Sequence, residues 1–172
     1  MAEEVLQAIR ERRSVRAFSP EPVSASDLEK ILEAGRWAPS GKNTQPWAFI
    51  LVKSKAKRAA LAGLSRQKEL IESAPVCLAV LLDRERGYDR DKDMQGIGAC
   101  VENMFLAAHA LGLGACWVGG VSGSKEEAAK VLELKGNEEL VMLLLVGHPA
   151  PSEASPPGPR VRRPLQEFLR EI

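Results

Sequence analysis

The sequence predicts a single domain of helices packed on a β-sheet, in the α/β or α+β class. Three observations predict it. Apolar runs of strand length alternate with stretches where apolar residues recur every three or four positions. Turn-forming clusters rich in Gly, Pro, Ser and Asn separate them. The chain of 172 residues matches roughly one domain and is long enough to bury about 70% of its unfolded surface.

Residues 3–12 place Val5, Leu6 and Ile9 on one face of a short amphipathic helix. RRSVRAFSPEPV then forms a loop ended by two prolines. A second helix starts at Ser24, with Asp27 three residues on as a capping box, and turns Leu28, Ile31 and Leu32 inward. It ends near Trp37, because Pro39 disfavours helix at the residue before it. The polar loop APSGKNTQP leads into WAFILV (47–52), a continuous apolar strand. Residues 54–72 read as helix with a break near Gly63, and PVCLAVLL as a second buried strand. DRERGYDRDKD reads as a charged surface loop.

The longest helical pattern spans 94–111, with Ile97, Val101, Met104, Phe105, Ala108 and Leu111 on one stripe and Gly112 at its end. ACWVGG is a short strand running into a glycine turn, and 124–134 a helix capped by Ser124 with Glu127 three residues on. ELVMLLLVG is the third strong strand. The proline-rich tail from 148, closing on a short helix, is not compact and reads as an extended arm that docks on something.

Composition narrows the function. Twenty-four basic against 23 acidic residues leave a net charge of +1, so a broad cationic footprint for nucleic acid is absent and any anion site must come from clustered Arg. No apolar run approaches the roughly 18 residues that cross a bilayer, and MAEEVLQAIRERR lacks the apolar stretch of a secretory signal. Cys77, Cys100 and Cys116 form no C-x-x-C and sit in apolar stretches, the pattern of buried reduced thiols in a cytoplasmic protein. His109 and His148 lack the spacing of a metal pair, so no metal site is expected. There is no P-loop and no complete dinucleotide glycine fingerprint. Gly120-Val121-Ser122-Gly123-Ser124 misses the serine-hydrolase elbow. Side-chain catalysis is poorly equipped, and a bound cofactor is the better candidate for hard chemistry.

Three features could hold one. Arg12, Arg13, Ser14 and Arg16 form a fork-shaped donor array suited to phosphate, or else a solvated basic helix end that complements the helix dipole. Pro39-Ser40-Gly41-Lys42-Asn43-Thr44-Gln45-Pro46-Trp47 offers amides suited to the edge of a heteroaromatic ring, or else a plain helix–strand connection. Arg160-Val161-Arg162-Arg163-Pro164, far along the chain, is a second half of an anion site or a solvated tail.

Five blocks in order resemble the FMN-dependent nitroreductase family: A-I-x-x-R-R-S-V-R-A-F (Ala8 to Phe18), A-P-S-G-x-N-x-Q-P-W (Ala38 to Trp47), A-A-H-A-L-G-L-G-A-C-W-V-G-G (Ala107 to Gly120), V-G-H-P (Val146 to Pro149) and R-V-R-R-P-L-x-E-F-L (Arg160 to Leu169). The resemblance spans almost the whole chain. It implies an α+β fold with a central mixed, mainly antiparallel sheet flanked by helices, residues 1–172 forming one domain with about 150–172 as an extended C-terminal arm over a partner subunit. It also implies a homodimer with FMN at the subunit interface and NADH or NADPH as co-substrate.

Matched residue by residue, Arg12, Arg13, Ser14 and Arg16 would take the ribityl phosphate and the pyrimidine side of the flavin, with Arg160 and Arg162 closing on the phosphate. Pro39, Ser40, Asn43 and Gln45 would reach the flavin, often from the partner subunit. Gly119 and Gly120 would pass beneath the ring with a backbone N–H near N5. The implied reaction is ping-pong hydride transfer from NAD(P)H through flavin to a small acceptor such as a nitroaromatic, quinone or enone, with no catalytic side chain. The chain is short for the family: the Asp89–Asp93 loop and the turn after Gly120 are brief, so the substrate lid is reduced. A non-redox flavin-binding protein of the same fold is the alternative. A nucleic-acid binder using the two basic clusters lacks interleaved exposed aromatics.

Overall fold

The structure is a computed structural model that describes residues 2–121, 125–153 and 161–172. Its centre is a four-stranded sheet in the order β1-β2-β4-β3, built from β1 (Trp47–Leu51), β2 (Val76–Asp83), β3 (Gly114–Val118) and β4 (Glu138–Gly147). All three pairings within it are antiparallel. The parallel component of this α+β architecture is one isolated bridge, Ser14 to Ala115, laid on the open edge of β3. Between Val80 and Leu81 of β2 the register slips, leaving Val141 of β4 as a bulge.

Helices cover both faces. Leu78, Val80, Leu82, Leu144 and Val146 point to α2 (Ala25–Arg36) and α5 (Arg90–Ala110). Cys77, Ala79, Leu81, Leu143 and Leu145 point to α3 (Lys55–Gly63), α4 (Lys68–Ser73) and α6 (Lys125–Leu132). Because both faces are buried, β2 reads as an unbroken apolar run rather than an alternating one.

Most local signals act as their chemistry requires. Ser24 Oγ accepts the Asp27 N–H at 3.0 Å, so it caps α2, while the Asp27 carboxylate accepts from the Ser24 hydroxyl at 2.8 Å in place of the backbone N–H of a full capping box. The 54–72 segment breaks after Gly63 into α3 and α4. All three cysteines are free and buried, and burial pushes the thiols of Cys77 and Cys100 up to about 11 and about 12.

Two expectations need correction. The charged segment before 94 is not all loop. Asp89 caps Lys92 N–H at 3.1 Å, so α5 begins at Arg90, and Asp93 folds back, buried, to accept the Tyr88 and Asp89 N–H groups. Asp89–Asp93 is therefore a helix start and not a short lid. The tail helix is only a 3-10 turn, Leu165–Glu167. The first helix forms as the sequence predicts, α1 (Ala2–Glu11), and its apolar face of Val5, Leu6 and Ile9 stays exposed rather than joining this chain's core. The expected Ser124 cap lies outside the described residues.

Candidate functional site

The arginine segment is fixed by backbone. Val15 N–H donates to Ala115 O at 3.0 Å, which lays residues 14 and 15 along β3. Glycine at 114 permits this, since a Cβ there would meet Val15 side-chain atoms at 2.5 Å. Farther on, Phe18 bridges Pro149, Ser19 N–H donates to His148 O and Ala150 N–H to Ala17 O, both at 2.9 Å. A Cβ on Gly147 would strike Pro75 at 2.6 Å and Phe18 at 2.9 Å. The Val146–Pro149 block is thus a notch that straps residues 17–19 beside the start of the tail.

A cleft of about 610 Å³ opens along this ledge, lined by Arg12, Arg13, Phe105, His109, Ala115 and Glu153 among others. Arg12 is largely buried. Its guanidinium stacks 5.2 Å from the Phe105 ring centroid, and its Nε lies 3.2 Å from a Glu102 carboxylate oxygen without the alignment of a hydrogen bond. Arg13 has no hydrogen bond or ion pair among the described residues. Arg12, ion-paired to Glu102, and Arg13 both line the cleft, and two arginines there suit a phosphate. Arg16 donates its backbone N–H to Glu153 at 3.1 Å and its Nη1 to Ser14 O at 3.3 Å. Its charge opposes the burial that pushes the Cys116 thiol up.

The 39–46 loop carries the second set. Ser40 Oγ accepts the Gln45 N–H at 2.9 Å, and Gln45 Nε2 donates to Asn43 O at 3.3 Å. Lys42, Asn43 and Gln45 all have positive φ (53°, 55° and 49°), three left-handed residues without glycine's freedom within four positions. Such strain clusters at ligand clamps. Pro39 and Ser40 line a separate cleft of about 310 Å³ with Gly41, Tyr88, Gln95 and Gly96.

These two sets do not meet within one chain. Phe105 marks the first cleft and Gly96 the second, nine residues apart on α5, which is roughly 14 Å along a helix axis. Gly119 has open space where a Cβ would sit, and Gly120 only an ordinary contact with Ser65 Oγ at 3.6 Å. Arg162 is exposed and donates Nη1 to Val161 O at 3.0 Å, and Arg163 pairs with Glu167 within the tail. Arg160 lies outside the described residues. Sequence reasoning passed over Glu102, Tyr88 and the stacking role of Phe105. Glu102 carried a signal, as a lone carboxylate inside the apolar stretch Cys100–Ala108. Among the described residues no cluster of His, Cys, Asp and Glu could hold a metal, and no helix is long and apolar enough to cross a membrane.

The model of the nitroreductase family matches residues 9–72 and 64–148. A protein of Archaeoglobus fulgidus described as an NADH dehydrogenase/NAD(P)H nitroreductase is 36% identical over 145 residues, covering 84% of this chain and 83% of its own. The FMN reductase [NAD(P)H] of Bacillus subtilis is 30% identical, over 90% of this chain and 69% of its own. Among solved structures, a Desulfovibrio desulfuricans protein described as a nitroreductase in complex with FMN superposes with a TM-score of 0.89 at 42% identity, over 98% of this chain and 96% of that one.

Proposed function

The chain belongs to the nitroreductase family, and on that premise we propose that it is an FMN-dependent NAD(P)H oxidoreductase. The observation that carries this reading is the arginine ledge: Arg13, without a hydrogen bond or ion pair among the described residues, and Arg12, stacked on Phe105, both line a cleft of about 610 Å³. When bound, FMN supplies ping-pong relay of a hydride equivalent from NADH or NADPH to a small oxidised acceptor, such as a nitroaromatic, quinone or enone.

The protein's own work is binding and orientation. Arg12 and Arg13 hold the phosphate by forked, charge-assisted bonds, with Ser14 and Arg16 continuing toward the pyrimidine side. Arg160 and Arg162 close on the phosphate from the tail. Pro39, Ser40, Asn43 and Gln45 present a hydroxyl and two amides to the ring edge, held in advance by the Ser40–Gln45 and Gln45–Asn43 bonds. Gly119 and Gly120 leave the wall beside β3 free of side chains, so a flat ring can lie against backbone. No side chain is assigned as acid, base or nucleophile.

The separation of the two clefts supports a homodimer in which each FMN takes the ledge of one subunit and the 39–45 loop of the other. The exposed Val5, Leu6 and Ile9 of α1 and Trp37 after α2 supply an apolar face for that contact. Residues 1–172 form one domain whose segment from about 150 begins against this chain, where Ala150 and Glu153 bond residues 16–17, and continues as the proposed arm over the partner. Its Val161, Leu165, Phe168 and Leu169 are more than half exposed on this chain. Three free buried thiols fit a reducing cytoplasm.

An absorption spectrum of the purified protein, followed by anaerobic NADH or NADPH, tests the reading. A flavin band that bleaches with either nucleotide is expected. Failure to take up FMN overturns it, and bound FMN that resists both nucleotides points to a non-redox flavin carrier instead.

A further inference from the structure

Around Tyr88 the structure gathers charge that the flavin reading does not use. Lys42 Nζ lies 4.5 Å from the ring centroid and Lys92 Nζ lies 5.4 Å from it, so one aromatic ring carries two ammonium groups. The ring sits directly over Gly41, where a Cβ would meet the Tyr88 hydroxyl, so it is pinned against the 39–46 loop. Like charges on one ring repel, and a ring's quadrupole attracts a cation without neutralising it. Only Lys92 has a carboxylate near, Asp89 at 4.0 Å, and that carboxylate also caps the Lys92 N–H through its other oxygen. Asp93 is turned inward to the Tyr88 and Asp89 N–H groups. Lys42 has no carboxylate within ion-pair distance among the described residues.

Lys42 is also held in left-handed backbone (φ 53°, ψ 17°), a conformation a lysine adopts at a cost. The cleft of about 310 Å³ that Tyr88 lines runs from Lys92 and Gln95 to Ser40, the hydroxyl proposed above to reach the flavin. A surplus ammonium fixed by strained backbone and held on the Tyr88 ring, which with Lys92 lines that cleft, is a recognition element for negative charge.

We propose that Lys42 and Lys92, braced on Tyr88, form a rim that selects redox partners bearing an anionic group. That group is a carboxylate on the electron acceptor or the extra phosphate that distinguishes NADPH from NADH. This rests on the oxidoreductase reading of the same site and adds to it the charge class of substrate.

The test is calorimetric titration of protein kept in excess FMN, with 4-nitrobenzoate against 4-nitrobenzyl alcohol, and NADP⁺ against NAD⁺. Flavin absorbance after gel filtration reports separately whether the FMN reading stands. Wild type should prefer the anionic member of at least one pair, and the pair identifies the source of the anion. Lys42→Gln should cut that preference about five- to tenfold and Lys92→Gln about threefold, while Lys42→Arg retains it. About 0.5 M salt should shrink it in wild type. A wild-type protein with no preference in either pair, or a preference that both Gln variants keep, overturns the proposal.

Discussion

The arginine ledge and the 39–46 loop are two ways of building a binding surface. The ledge is cheap in conformation. Residues 14–19 pair with β3 and with residues 148–150, and glycines 114 and 147 are notched to receive Val15 and Phe18. The loop is costly in conformation, with Lys42, Asn43 and Gln45 left-handed and Ser40 Oγ tying the turn shut. One surface spends side-chain charge on a relaxed frame, and the other spends backbone strain to aim neutral amides. The ledge should therefore fail when its packing is disturbed, and the loop when its strain is released.

The largest effect is expected from Gly114→Ala. Its Cβ would enter the Val15 side chain, whose branched Cβ cannot rotate away. A loss of about 2 kcal/mol is expected from overpacking, seen as a fall of some 6 °C in Tm, with loss of retained FMN. A variant as stable and as yellow as wild type would separate the ledge from β3. Next, Arg12→Ala should weaken FMN by about 1.5–3 kcal/mol, as for a hydrogen bond to a charged group, with a smaller fall in apo-protein stability from the lost Phe105 stacking and Glu102 pair. Equilibrium dialysis measures it, and unchanged affinity would leave the ledge without a role.

Glu139 ties the start of α5 to β4 and α6, bonding Arg90 and Lys125, each at 2.9 Å. These bonds lower its carboxyl from 4.5 to about 2. A group depressed on folding stabilises fully above its unfolded value and loses that contribution as pH falls. Glu139→Gln should cost about 1 kcal/mol at pH 7, and the gap from wild type should close between pH 4.5 and 2. Urea titrations across that window read it. The smallest effect belongs to the loop. Gln45→Gly relieves a positive φ but adds unfolded-state entropy, so apo stability should rise by no more than about 0.5 kcal/mol, while FMN affinity falls severalfold. A large loss of stability would mean that residue 45 is not strained.

What could be read in advance follows the same division. Charge is visible in sequence, so Arg12, Arg13 and Arg16 announce a donor cluster before any coordinates, and the helix period places it at the end of α1; that it lies along β3 is visible only in the fold. Strain is not visible. Asn43 is a residue that tolerates left-handed backbone, but Lys42 and Gln45 carry no mark of it, because surrounding contacts impose it: Tyr88 over Gly41, and Ser40 on the Gln45 N–H. Asp93 shows the same limit. In sequence it is one acid among the charges of DRERGYDRDKD, and only the helix start it folds back upon makes it a buried cap. The exposed stripe of α1 is legible as amphipathic, but its periodicity cannot say whether the face meets this chain or another.

In the proposed dimer, ledge and loop meet around one FMN across the subunit boundary. Mixing Arg12→Ala protein with Asn43→Ala protein, then dissociating and reassociating them, tests it directly. In a two-fold dimer with shared sites, each mixed pair regenerates one intact site, so about a quarter of all sites should recover tight FMN binding. No recovery beyond the average of the two parents would place both sets of contacts on one chain and contradict the account.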